Sequence, residues 1–134
     1  MIGFNIIETT ADIGIEASGT DEMELVENSL KGLYFICFDK LPNILESVEK
    51  VKQAFESLDE LVFSLLEESI FALFTKKLLI QVISISKINN LYEVIYEKVK
   101  TDEEIQTEIK AVTKHCYKVE RVDSIYKVMV IFDI

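Results

Sequence analysis

Apolar residues recur along this chain with two different spacings, alternate positions and helical turns, and the switches between them mark out its elements. Residues 3–8 and 13–18 alternate as two short strands on either side of a polar break, Thr9–Asp12. Leu25, Val26, Ser29, Leu30, Leu33 and Cys37 then fall on one helical face. That helix opens at Ser18-Gly19-Thr20-Asp21, where Thr20 or Asp21 can cap it and Asp21, Glu22 and Glu24 suit the positive end of its dipole. It is expected to end near Phe38, because Pro42 disfavours helix in the residues before it. Ile44 to Phe55 reads as a further strand with Val48, Val51 and Phe55 as its apolar members.

Ser57-Leu58-Asp59-Glu60 is a capping box, so a second helix starts there. From Leu61 to Phe74 only Glu67, Glu68 and Ser69 leave a polar strip, and a helix apolar over most of its circumference must be covered on more than one side. It is expected to be the buried central element, with Phe71 or Phe74 to alanine costing about 3–5 kcal/mol if the ring is fully packed. The remainder reads as antiparallel sheet. Leu79 to Ile88 and Leu91 to Val99 are joined at Asn89-Asn90, since Asn tolerates the positive φ of a two-residue hairpin. Thr101 to Glu104 is a charged loop; Thr107 to Thr113, His115 to Val122 and Ile125 to Phe132 are strands, with a turn at Asp123-Ser124. The order β-β-α-β-α-β-β-β-β-β predicts one α+β domain over residues 1–134, with two helices packed against antiparallel sheets.

Composition narrows the function. The chain has 24 acidic residues against 14 basic ones and a net charge of −10. Phosphate backbones would repel it, so a role near nucleic acid is expected to run through a basic protein partner or a metal ion rather than direct binding. Cys37 and Cys116 lack metal-site or redox spacing and read as small hydrophobes of a reducing compartment. Met1 to Ile7 have no charged n-region or cleavage site, and Glu60, Glu67 and Glu68 interrupt the longest apolar helical stretch, so a cytoplasmic protein without a membrane span is expected.

Phosphate-cradling glycine loops and a nucleophile elbow are absent from the sequence. The single histidine, His115, has no obvious nucleophile beside it, and Cys116 would face the other way on a regular strand. The strongest chemical candidates are Asp12, in the polar break, and Asp133, on the last strand. Two Asp carboxylates with an oxygen of Ile134 would supply about three or four of the roughly six to eight oxygens that Ca²⁺ takes. The alternative is a solvated turn aspartate and another in a frayed tail.

Three motifs in order, Thr10-Ala11-Asp12-Ile13-Gly14-Ile15-Glu16-Ala17-Ser18-Gly19, Glu108-Ile109-Lys110-Ala111-Val112-Thr113-Lys114-His115 and Val130-Ile131-Phe132-Asp133-Ile134, resemble the archease family. The first helix ending in Phe38-Asp39 and the second opening at Leu58-Asp59-Glu60-Leu61 extend the resemblance along the whole chain. The resemblance implies a two-helix, antiparallel-sheet fold. It also implies a protein co-factor of the RtcB-type RNA ligase of tRNA splicing, promoting GTP- and metal-dependent guanylylation and repeated turnover without being a ligase itself. The family's metal positions fall on Asp12, Asp133 and Ile134, with calcium the foremost ion and Mg or Mn as alternatives. Lys110 and His115 match family positions as a basic rim, and Asp39 matches as a residue just past a helix end. The family commonly has His directly before Thr-Ala-Asp, whereas this chain has Thr9, whose hydroxyl cannot replace an imidazole as ligand or base. Two other readings compete: a metal-dependent hydrolase using Asp12 and Asp133, and a general acidic, chaperone-like interaction module.

Overall fold

A computed structural model describes residues 3–8 and 12–134. The chain runs β1 (Gly3–Glu8), β2 (Ile13–Gly19), α1 (Glu22–Phe38), β3 (Ser47–Phe55), α2 (Leu58–Lys76), β4 (Leu78–Ile88), β5 (Leu91–Lys100), β6 (Ala111–Val122) and β7 (Ile125–Asp133). The strands form two antiparallel sheets, one ordered β1-β2-β7-β6 and the other β3-β5-β4.

Local signals account for most of these boundaries. The Asp21 side chain accepts from the Glu24 N–H at 2.8 Å to start α1, and Ser57 Oγ accepts from the Glu60 N–H at 3.1 Å to start α2. Both helices end on a left-handed residue, Asp39 (φ 61°) and Lys77 (φ 54°). Both tight hairpins turn on paired left-handed residues, Asn89-Asn90 (φ 50° and 66°) and Asp123-Ser124 (φ 52° and 66°). That is the conformation whose twist matches the flanking strands.

One core joins the layers. Ile15, Ala17, Val128, Val130 and Phe132 alternate inward from the four-stranded sheet onto α1, while Val82, Val94 and Tyr96 face inward from the three-stranded one. Leu61, Val62, Leu65, Leu66 and Leu73 of α2 are buried, and this helix packs on the three-stranded sheet and on β6 of the other. It is therefore covered on two sides, as its sequence requires. Tyr117 of β6 donates its hydroxyl to the Asp59 carbonyl at 2.6 Å, and the Val119 N–H donates to the Asp59 carboxylate at 2.9 Å. Those two bonds pin the start of α2 to the sheet.

Four expectations are corrected. Phe71 is 58% exposed and Phe74 only half-buried, because Phe71 lies one turn beyond exposed Glu67 on the polar side of α2 and Phe74 one turn beyond Phe71. The strand expected from Ile44 begins at Ser47; Leu45 and Glu46 instead bond to Lys100, and a register shift lies between Ser47 and Glu49. Thr107–Thr113 and His115–Val122 do not form two strands. Residues 101–110 are loop, and a single β6 carries the chain past a bulge. Cys116 is exposed, so only Cys37 behaves as a buried hydrophobe.

Candidate functional site

The end of the four-stranded sheet at which β2 begins gathers the carboxylates. β2 and β7 pair with Ile13 opposite Phe132, so Asp12 and Asp133 each stand one residue beyond that pair on neighbouring strands. Opposed positions in such a ladder are about 5 Å apart between Cα atoms. Phe132 is fully buried and faces α1, so Asp133 points to the other, open face, and both aspartates are exposed. Ile134 follows directly and is 52% exposed.

Two neighbours fix this end. The Lys110 N–H donates to the Asp133 carbonyl at 2.7 Å, and Ala111 pairs with Asp133 across β6 and β7. Asp133 therefore ends an inner strand, bonded on its β6 side, with the last β2–β7 pair one residue before it. The preceding loop is anchored where α1 ends: the Cys37 carbonyl accepts from the Gln106 and Thr107 N–H groups at 2.7 and 3.1 Å. Ile109 is buried, and Lys40 pairs with Glu103 at 2.8 Å.

Asp39 reaches the same end through topology. Gly32 of α1 lies against Ile15 of β2; a Cβ there would meet the Ile15 side chain at 3.0 Å. Counting from that contact, Asp12 is three residues back along β2 and Asp39 seven residues on along α1. At about 3.3 Å per strand residue and about 1.5 Å per helix residue, both travel about 10 Å. Because α1 returns over β2, they travel the same way.

His115 is not part of this cluster. Between Thr113, opposite Ile131, and Lys118, opposite Met129, β6 has extra residues that bulge out, with Cys116 left-handed at φ 57°. His115 stands in that bulge, roughly 10 Å along β6 from the Asp133 rank. The strict alternation expected to set His115 and Cys116 on opposite faces fails here, and both are exposed. Beside them Lys114 rests its ammonium 3.9 Å from the Phe63 ring centroid and 5.7 Å from that of Tyr117. That contact fastens the bulge over α2. Thr9, where the resemblance to archease is weakest, lies outside the described residues.

Among the described residues no group of three or more His, Cys, Asp or Glu side chains comes together to hold a metal. The donors at the sheet end are thus two carboxylates and the oxygens of Ile134. An all-oxygen set suits a hard cation such as Ca²⁺ or Mg²⁺, completed by water, and does not suit zinc. The bracing loop 101–110 was not legible as part of this site. Its sequence signals are Ile105 and Ile109, two apolar residues in a charged run.

Comparison with known proteins agrees with the architecture. The chain is 29% identical to Protein archease of Methanothermobacter thermautotrophicus, covering all of both chains. The solution structure of Methanobacterium thermoautotrophicum protein 1598 superposes over the full length of both chains with a TM-score of 0.82 at 26% identity. A crystal structure from Thermotoga maritima, described as an archease and possible chaperone, matches with a TM-score of 0.59 at 28% identity, covering 96% of this chain and 94% of that one. The model of the archease protein family matches residues 4–134. With that match running through both sheets and both helices, the chain belongs to the archease family.

Proposed function

We propose that this protein activates an RtcB-type RNA ligase in tRNA splicing, promoting metal- and GTP-dependent guanylylation of the ligase and its multiple turnover, and is not itself an enzyme. The observation that carries this reading is the Ile13–Phe132 register, which sets Asp12 and Asp133 side by side in a protein of the archease family. Asp12, Asp133 and Ile134 would hold a divalent cation, calcium foremost. When bound, that ion supplies a concentrated positive charge that can orient a triphosphate at the ligase. The bonds of Asp133 to Lys110 and Ala111 fix its backbone, which limits the ordering needed on docking. Lys110 adjoins Asp133, Asp39 lies toward the same end of the sheet on the α1 side, and His115 lies farther along β6; these three are the proposed docking and activation residues. The −10 charge suits a basic ligase surface and raises encounter rate more than affinity.

The test is multiple-turnover joining of RNA ends by the cognate ligase with GTP and Mn²⁺, alone and with wild type, Asp12→Ala or Asp133→Ala. Glu56→Gln, beside the start of α2 with Arg121, serves as the control acidic variant. Activation is expected from wild type and Glu56→Gln and from neither aspartate variant. Equal activation by all four proteins would refute the acidic site and favour the chaperone-like reading carried by the description of the Thermotoga relative.

A further inference from the structure

An open sheet edge is a template for another strand unless charge, a bulge or a covering element blocks it. All four edges here carry some block. β6 is bulged and bears Lys114, Lys118 and Arg121, and β3 bears Glu49, Lys50 and Lys52. β1 is only six residues long and ends in Glu8. β4 is 11 residues long, LLIQVISISKI. It has a register shift between Val82 and Ser84 and is capped at Ile80 by Tyr34, but past the shift, over Ser84–Ile88, Lys87 is its one charge. Among the described strands it alone has no Asp or Glu. On a chain of net charge −10 it is the strand that another acidic chain can approach without setting carboxylates face to face.

The register shows which backbone groups of β4 point outward. The Ile80 N–H donates to the Tyr34 hydroxyl at 2.7 Å, so Ile80 faces away from β5. Ile80 pairs with Lys98, Val82 with Tyr96, Ile85 with Val94 and Lys87 with Tyr92, so alternate residues of β5 meet the outward set. Val82, Ile85 and Lys87 thus turn their N–H and C=O groups to the open edge, while Ser84, Ser86 and Ile88 bond to β5. The shift between Val82 and Ser84 leaves Ile83 as an extra residue, 42% exposed. Tyr34 and α1 close the edge at Ile80 and leave it open beyond Val82.

We propose that β4 is a strand-addition edge whose occupant is a second copy of this chain, paired antiparallel about a two-fold axis at Ser86. Ile85 and Lys87 are two residues apart, both outward in their backbone groups and both on the inner face. The axis therefore sets Ile85 of each copy opposite Lys87 of the other, closing about four backbone hydrogen bonds. Ser86 meets Ser86 on the outer face, and Ile88 of one copy lies opposite Ser84 and beside Ile83 of the other. Two exposed isoleucines per chain, Ile83 at 42% and Ile88 at 49%, are covered in this way. A shift that paired Val82 with Ile85 would also set Lys87 against Ile80 and displace the Tyr34 hydroxyl, so the cap selects the Ser86 axis. The product is a continuous sheet ordered β3-β5-β4-β4-β5-β3. Because the interface is small and each chain is strongly acidic, the dimer is reversible, and added salt strengthens it by screening the mutual repulsion.

The test combines sedimentation velocity with disulfide trapping in a Cys116→Ser background. Directly opposed Cα atoms at a non-hydrogen-bonded position lie about 4.5 Å apart, within disulfide reach. Ser86→Cys should cross-link to a dimer under mild oxidation. Ser84→Cys should not, its counterpart lying about 13 Å away along the strands. Ser86→Lys, at an exposed position, should abolish the dimer while leaving the circular dichroism spectrum unchanged. A wild-type protein that stays monomeric at millimolar concentration in high salt overturns the proposal. So does trapping at Ser84 as efficient as at Ser86, or a dimer that survives Ser86→Lys.

Discussion

Replacing Gly14 with alanine drives a methyl group into the seam between β2 and β7. A Cβ built there stands 2.4 Å from the Val130 carbonyl oxygen and 2.9 Å from Ile131 Cδ1. The isoleucine tip can turn aside, but the carbonyl belongs to an inner strand bonded on both edges, so relief requires the strands to part by most of an ångström. Alanine also restricts the unfolded chain, which on its own stabilises by about 0.4–1 kcal/mol. Overpacking against a fixed group costs about 1–3 kcal/mol, so the net expected loss is about 1–2 kcal/mol. For a domain of this size that lowers Tm by about 3–8 °C. Gly32→Ala is the internal control. Its Cβ would meet only the Ile15 side chain, at 3.0 and 3.1 Å, and alanine gains about 1 kcal/mol of helix propensity over glycine. Thermal unfolding of both variants, followed by circular dichroism, makes the comparison. A Gly14→Ala protein as stable as wild type, or a Gly32→Ala protein that loses more than Gly14→Ala, would refute the argument that the β2–β7 seam is rigid. The same rigidity is what holds Asp12 and Asp133 side by side. Gly14→Ala should therefore also weaken the proposed ligase activation at temperatures where the variant remains folded.

Phe132→Ala, at a fully buried position, should cost about 3–5 kcal/mol, whereas Phe71→Ala, 58% exposed, should cost well under about 1 kcal/mol; urea unfolding midpoints separate the two. Burial raises the Cys37 thiol from 9.0 to about 12 and the Tyr34 phenol from 10.0 to about 12. Both groups stay neutral in the fold while the unfolded chain ionises, so their contribution is full below pH 9 and is lost as pH rises toward 12. Urea midpoints should accordingly fall steeply above about pH 9, and Cys37→Ala should flatten that fall; a midpoint unchanged between about pH 8 and pH 11 would contradict it.

Features under local physical control are legible in the residues alone. Asp21 and Ser57 mark helix starts because short oxygen-bearing side chains satisfy otherwise unbonded N–H groups. Asn89-Asn90 and Asp123-Ser124 mark hairpins because those residues accept positive φ, and alternation at Val128, Val130 and Phe132 marks an inward face. Asp12, Asp133 and Ile134 were picked out as residues in the same way, together with the family pattern around them. Tertiary structure alone decided their adjacency. That depends on β7 pairing between β2 and β6, a contact between chain ends that no local spacing encodes. Tertiary structure also decided that residues 101–110 form a brace. Their N–H groups find the Cys37 carbonyl, whose place at the end of α1 is set by packing over β2. The exposure of Phe71 is not legible in the sequence, because an apolar side chain has no mark telling whether a neighbouring element arrives to cover it. The bulge at His115 leaves no local mark, because a non-glycine residue takes a left-handed φ only when surrounding contacts compensate it, here the hold of Lys114, Tyr117 and Val119 on α2.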